Sequence, residues 1–93
     1  MTYNWTVEGL RRTQAQGLRP ADVHFMLTSG VFRIIDHVDD TTRCITGTTS
    51  AGVLIQAWLR ESQDNEWELL LAHEAGLMAH ARYRKVKERD WPS

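Results

Sequence analysis

The chain is poor in several things, and each scarcity excludes something. It carries one cysteine, Cys44, so neither an intrachain disulfide nor a cysteine zinc cluster can form within it. A reducing, cytoplasmic setting is the expectation for such a chain. It has two prolines and no Gly/Ser-rich tract, which leaves no visible linker, repeat or low-complexity segment. No apolar run approaches the roughly 18–20 residues a membrane span requires, so no membrane partner is expected. The opening Met1-Thr2-Tyr3-Asn4-Trp5 lacks the basic start and apolar stretch of a signal peptide. Excess charge is missing too. A net charge of −1 argues against a protein that is basic all over, so any nucleic-acid contact needs a local patch. What is present is 42% hydrophobic residues in 93, too many for a disordered chain and too short a chain for two cores. A single domain over residues 1–93 is expected.

The hydrophobic period changes along the chain. Thr6 to Gln16 is mostly good helix formers with Gly9 inside and Gly17 as a stop. Trp5, Val7 and Leu10 are its only large apolar anchors, which suits a helix lying across something. Pro20 occupies a first helical position, Val23, Met26 and Leu27 follow at helical spacing, and Gly30 closes a second helix. The middle turns to strand. Phe32–Val38 and Arg43–Thr48 flank an Asp39-Asp40-Thr41 turn. Val53–Leu59 is almost continuously apolar, as in a central strand covered on both faces. Glu66–His73 makes a fourth strand after a polar turn at Ser62–Asn65. Short connections imply an antiparallel meander. From Ala75 to Arg89 the pattern is helical again, with Ala75, Ala79, Tyr83 and Val86 as an apolar stripe and Arg82, Lys85 and Arg89 as a basic one. The expected architecture is α+β: two N-terminal helices, a four-stranded antiparallel sheet and a C-terminal helix.

Charge is unevenly placed. Five of eleven Lys and Arg residues fall between Arg82 and Arg89, whereas Glu61 to Glu74 holds five acids and no Lys or Arg. The last helix can therefore present a phosphate-facing surface. The plainer reading is a solvated face whose cations suit the helix C-terminus. Four histidines, His24, His37, His73 and His80, raise metal or acid–base chemistry. His73 and His80 stand seven apart, whereas a zinc helix of the His-Glu-x-x-His kind places its histidines four apart, so no metal is expected. Imidazole titrates near neutrality, which qualifies His73 and His80 as general acid–base candidates; structural or merely exposed histidines are the bland alternative. Cys44, in a strand, reads as a small buried hydrophobe. Gly47–Gly52 lacks the lysine and helix of a phosphate loop and reads as a hairpin turn. Asp36, Asp39 and Asp40 lack the further ligands of a calcium loop.

The order of elements and several residues resemble the BrnT-like toxins, a branch of the RelE/ParE superfamily of small bacterial toxin–antitoxin ribonucleases. The residues that carry the likeness run from Trp5 to Tyr83: Trp5 and Glu8, then Gln16-Gly17-Leu18 and Ala21-Asp22-Val23, then Arg43-Cys44-Ile45-Thr46-Gly47, and finally Ala72-His73-Glu74-Ala75 with Arg82-Tyr83. The resemblance implies the α+β toxin scaffold, RNA as substrate, a cognate antitoxin as partner and no cofactor. At the strand-to-helix step, where the family carries paired arginines, this chain has His73 and Glu74. That pair suits acid–base attack by a ribose 2′-hydroxyl but cannot replace two guanidinium forks as charge neutralisers.

Two function classes follow. In the first, an RNA-cleaving toxin brings Arg43, His73, Glu74, His80, Arg82 and Tyr83 near one site. His73 serves as base or acid, Arg43 and Arg82 stabilise phosphate charge, Tyr83 stacks or orients, and Lys85 and Arg89 extend RNA binding. In the second, the same scaffold is a non-catalytic interaction module, binding a partner through a sheet edge or the acidic segment, or assembling as a homo-oligomer. Core packing is the alternative role of Tyr83.

Overall fold

The computed structural model describes residues 2–29 and 32–90, which form β1 (Thr2–Trp5), α1 (Val7–Ala15), α2 (Pro20–Ser29), β2 (Arg33–His37), β3 (Thr42–Thr48), β4 (Leu54–Gln63), β5 (Glu66–Glu74) and α3 (Leu77–Asp90). Gly30, expected to close α2, lies outside the described residues. The five strands make one sheet in the order β1-β5-β4-β3-β2. Strands β2 to β5 form the expected antiparallel meander, and β1 adds to its outer edge in parallel, Thr2 opposite Glu66 and Trp5 opposite Leu69. The sheet is therefore five-stranded and mixed, where a four-stranded antiparallel one was expected. Four residues are too few to show a strand period, and a parallel partner leaves no hairpin signal in the chain.

Local chemistry accounts for the helix ends. Thr6 caps α1, its hydroxyl accepting from the Gly9 N–H at 2.9 Å. Glu8 in the first turn pairs with Arg11 and Arg12 one turn on. At the other end Gly17 takes φ +83°, while Gly17 and Leu18 donate back to the carbonyls of Gln14 and Thr13. This paired return of hydrogen bonds is the usual glycine-stopped helix end. α2 starts on Pro20, with Arg19 and Asp22 paired across its first turn.

α2 packs on one face of the sheet over the main core, Val23, Met26 and Leu27 lying against Ile45, Ile55, Leu59 and Leu69, while α1 runs beside it along the outer edge of β5. Each such side chain stabilises the fold by about 1.5–3 kcal/mol on burial. Two close approaches set the helix positions. A Cβ on Gly47 would lie 2.9 Å from the Met26 side chain, and a Cβ on Gly9 would lie 2.5 Å and 2.6 Å from the carbonyl oxygens of Leu69 and Leu70. α1 thus touches the backbone of β5 directly. Thr13, fully buried, completes the seat by accepting the Ala72 N–H at 3.0 Å.

The second face carries a smaller core in which Tyr83 of α3 meets Ile34 and Leu54, flanked by Phe32, Ala75 and Val86. α3 covers only one end of this face. No described helix is long and apolar enough to cross a membrane.

Thr13→Val tests the seat of α1. The substitution keeps the volume but leaves the Ala72 N–H buried without an acceptor, so the unfolding free energy should fall by about 1–3 kcal/mol in chemical denaturation. An unchanged midpoint would show that the bond contributes nothing.

Candidate functional site

The side-chain direction of β5 is decided by an irregularity. Leu59 pairs with Leu69 but Trp58 with Leu71, so Leu70 is an extra residue in β5. Before it, Trp67 and Leu69 face the helix-bearing side. After it, Ala72 stays in that core opposite Ala57, while Leu71 and His73 turn to the other face opposite Trp58 and Gln56. Strand pleating then sends Glu74 back to the first face.

His73 is held at both ring nitrogens. Trp58 Nε1 donates to His73 Nε2 at 3.0 Å, and the two rings lie side by side, nearly parallel at 24° with centroids 6.5 Å apart. A neutral ring that accepts at Nε2 carries its proton on Nδ1, which lies 2.8 Å from the Glu74 carbonyl and donates to it. Beside this pair, Gln56 donates to Thr46 at 3.3 Å and Arg60 pairs with Glu68 at 2.8 Å. Together they form a partly open polar face next to α3. Strand β4 was expected to be covered on both faces; Gln56 and Trp58 are only half-buried, because α3 shields just one end.

From α3, Arg82 reaches down to Asp36 on β2 in a two-pronged ion pair of 2.6 and 2.7 Å. The Arg82 hydrogen bond holds the Asp36 carboxyl below the usual carboxylate range. Cys44, buried beside this pair, has its thiol pushed up to about 11, mainly by burial and then by Asp36. Such a thiol is not a nucleophile at neutral pH. Tyr83 is buried, donates to the Phe32 carbonyl at 3.2 Å and packs edge-on against the Phe32 ring. That is a core position. Its neighbour Lys87 lies 5.9 Å over the ring. Lys85 is exposed and lines a shallow hollow with Arg82 and Arg84, while Arg89 pairs with Asp90. His80 is exposed on the flank of α3 opposite Arg82, as helical spacing requires.

The candidate residues therefore do not form one constellation. His73, Arg82 and Lys85 belong to the face that α3 borders. Arg43 lies on the opposite face, its guanidinium 5.5 Å over Trp67 and bonded to the carbonyls of Asp39 and Thr42. Glu74 lines a cleft with Arg19 and Asp22 on that same far side. The single site expected to join Arg43, Glu74 and His73 is corrected by the pleat: adjacent strand residues point through opposite sides of the sheet. Trp58 and Gln56 carry no motif in the sequence, and Asp36, weighed there only as a calcium ligand, proves to be the partner of Arg82. The alternation Gln56-Trp58-Arg60 within an apolar run was the signal available for the first two. Among the described residues, no group of three or more His, Cys, Asp or Glu side chains is arranged to hold a metal ion.

Among solved structures, the ribonuclease toxin BrnT of Brucella abortus is similar, with a TM-score of 0.62 and 14% identity over 82% of this chain and 99% of that one. A likeness at that identity is one of fold. No family model matches the chain, and no curated protein does.

The Asp36–Arg82 pair has a defined pH signature. A lowered carboxyl value means its contribution is present above the ordinary carboxylate range and lost as pH falls through the folded value. Both groups are part-exposed, so solvent screening limits the contribution to about 1 kcal/mol. Asp36→Asn should be less stable than the parent at neutral pH, with the gap closing in acid. A gap that does not change with pH would exclude the ion pair as its source.

Proposed function

We propose that the chain is a toxin of the RelE/ParE kind that binds RNA across α3 and the open part of the neighbouring sheet face, and cuts it at His73. The observation that carries this reading is the placement of His73. It is the one histidine set on the polar, partly open face beside the basic helix, with its tautomer defined by Trp58 and the Glu74 carbonyl. The shared fold with a ribonuclease toxin supports it. Lys85, one turn from Arg82 on the same side of α3, supplies a cation with no carboxylate partner among the described residues and would draw the RNA backbone, while Arg84 and Lys87 carry positive charge round the helix to the His80 flank. Trp58 offers an aromatic surface for a base. Cleavage would begin with attack of a 2′-hydroxyl on the adjacent phosphate. His73 Nε2, released from the Trp58 indole as that ring stacks on a base, takes the hydroxyl proton; the 5′-oxygen leaves and is protonated by solvent. A cognate antitoxin would neutralise the protein by covering this face.

A second reading rests on a specific observation. Both nitrogens of His73 are engaged, Arg82 is neutralised by Asp36, and Arg43 and Glu74 lie on the far face. On this reading the scaffold binds without cutting.

Purified protein mixed with a labelled single-stranded RNA separates the two. The first reading expects cleavage that falls by about 10²–10⁴-fold in His73→Ala, with RNA binding kept, and weaker binding in Arg84→Glu with Lys85→Glu. Binding by the parent protein with intact RNA favours the second. Absence of both binding and cleavage would contradict both.

A further inference from the structure

The helix-bearing face is not fully roofed by α1 and α2. Its uncovered part is a cavity of about 170 Å³ that crosses all five strands, from Tyr3 on β1 to Ile35 on β2. The floor is apolar and belongs to the main core, Ile45, Leu59 and Trp67 being buried, while Ile35 at the rim is 52% exposed and gives the trough its open apolar surface. Two guanidinium groups, Arg33 and Arg43, border it.

The arginines are anchored without being neutralised. Arg33 donates to the Leu27 carbonyl. Arg43 donates to the carbonyls of Asp39 and Thr42 at 2.8 and 3.1 Å and lies over Trp67. Neither has a carboxylate partner among the described residues, although Arg11, Arg12, Arg19, Arg60, Arg82 and Arg89 all do. Two acids of the flanking segments are otherwise directed. The Asp39 carboxylate accepts from Thr41 and Thr42 within its own turn, and Glu61, cross-strand from Trp67, pairs with neither arginine. The Trp67 indole N–H is itself buried, with no acceptor among the described residues. An apolar floor bordered by two fixed positive charges asks for one kind of occupant.

We propose that this trough is a docking site for an acidic, apolar segment of a partner protein. One large apolar side chain rests on Ile35 and reaches down to Ile45 and Trp67, and aspartate or glutamate carboxylates meet Arg33 and Arg43. RNA fits less well. Among the described residues the lining has no Asn, Gln, Ser or Thr to read a base edge, and its two guanidinium groups are already tied to backbone carbonyls. A second copy of this chain placed symmetrically on the trough would set Arg33 and Arg43 against themselves. The site is on the opposite side of the sheet from His73, so it stands whether or not the chain cuts RNA.

The probe is a short fluorescent peptide, capped at both ends, with two glutamates bracketing a leucine, followed by fluorescence anisotropy. The full chain should bind it more tightly than the same peptide with lysines, by about tenfold or more. Arg33→Gln and Arg43→Gln should each weaken it, and Leu→Ser in the peptide should abolish it. Arg33→Glu combined with Arg43→Glu should reverse the preference and favour the lysine peptide, a gain that misfolding cannot produce. Arg84→Glu with Lys85→Glu should leave peptide binding unchanged. Equal binding of both peptides, binding of neither, loss of RNA binding in the Arg33 and Arg43 variants, or closure of the trough by self-association in sedimentation would each overturn the proposal.

Discussion

Strand β5 is paired by β1 only as far as Leu69, and beyond that point its outer edge would present bare N–H and C=O groups. α1 closes that edge. It can do so because Gly9 has no Cβ to hold the helix away from the Leu69 and Leu70 carbonyls, and because Thr13 supplies an acceptor for the Ala72 N–H. Both carbonyls lie against the same point on the helix, which is what a bulge at Leu70 produces, since carbonyls of a regular strand alternate. Helix seat and bulge are one feature. It keeps Trp67, Leu69 and Ala72 together in the main core while turning His73 to the far side.

The two faces of the sheet consequently carry different chemistry. One holds α1, α2, the main core and a trough bordered by two arginines that have no carboxylate partner among the described residues. The other holds the imidazole–indole pair, the Asp36–Arg82 bridge and the cationic helix α3. The net charge of −1 hides this division, because acidic residues of β4 and β5 offset the arginines that each face displays separately. The division also explains why an imidazole and a carboxylate adjacent in the chain, His73 and Glu74, do not act as a pair.

Much of the fold was legible in the residues. Gly17, Pro20 and the helical spacing of Val23, Met26 and Leu27 marked both early helices, and Asp39, Gly52 and Asn65 fall at turns between strands. The illegible parts were non-local. β1 is four residues long and pairs with a strand some sixty positions away, so Trp5 looked like a helix anchor. The bulge was hidden inside Leu69-Leu70-Leu71, where three identical side chains erase the alternation that would betray a change of face. Tyr83 followed its apolar stripe into the core. His73 could not be assigned to a face without knowing where Leu70 breaks the register.

The indole N–H groups give a direct test of the two-sided account, because Trp58 marks one face and Trp67 the other. Titration of the isotope-labelled protein with single-stranded RNA, followed by nuclear magnetic resonance, reads both signals at once. The account predicts that the Trp58 indole resonance moves, together with amides of α3, while that of Trp67 stays in place. Movement of Trp67 with Trp58 unchanged would place RNA on the opposite face and contradict it.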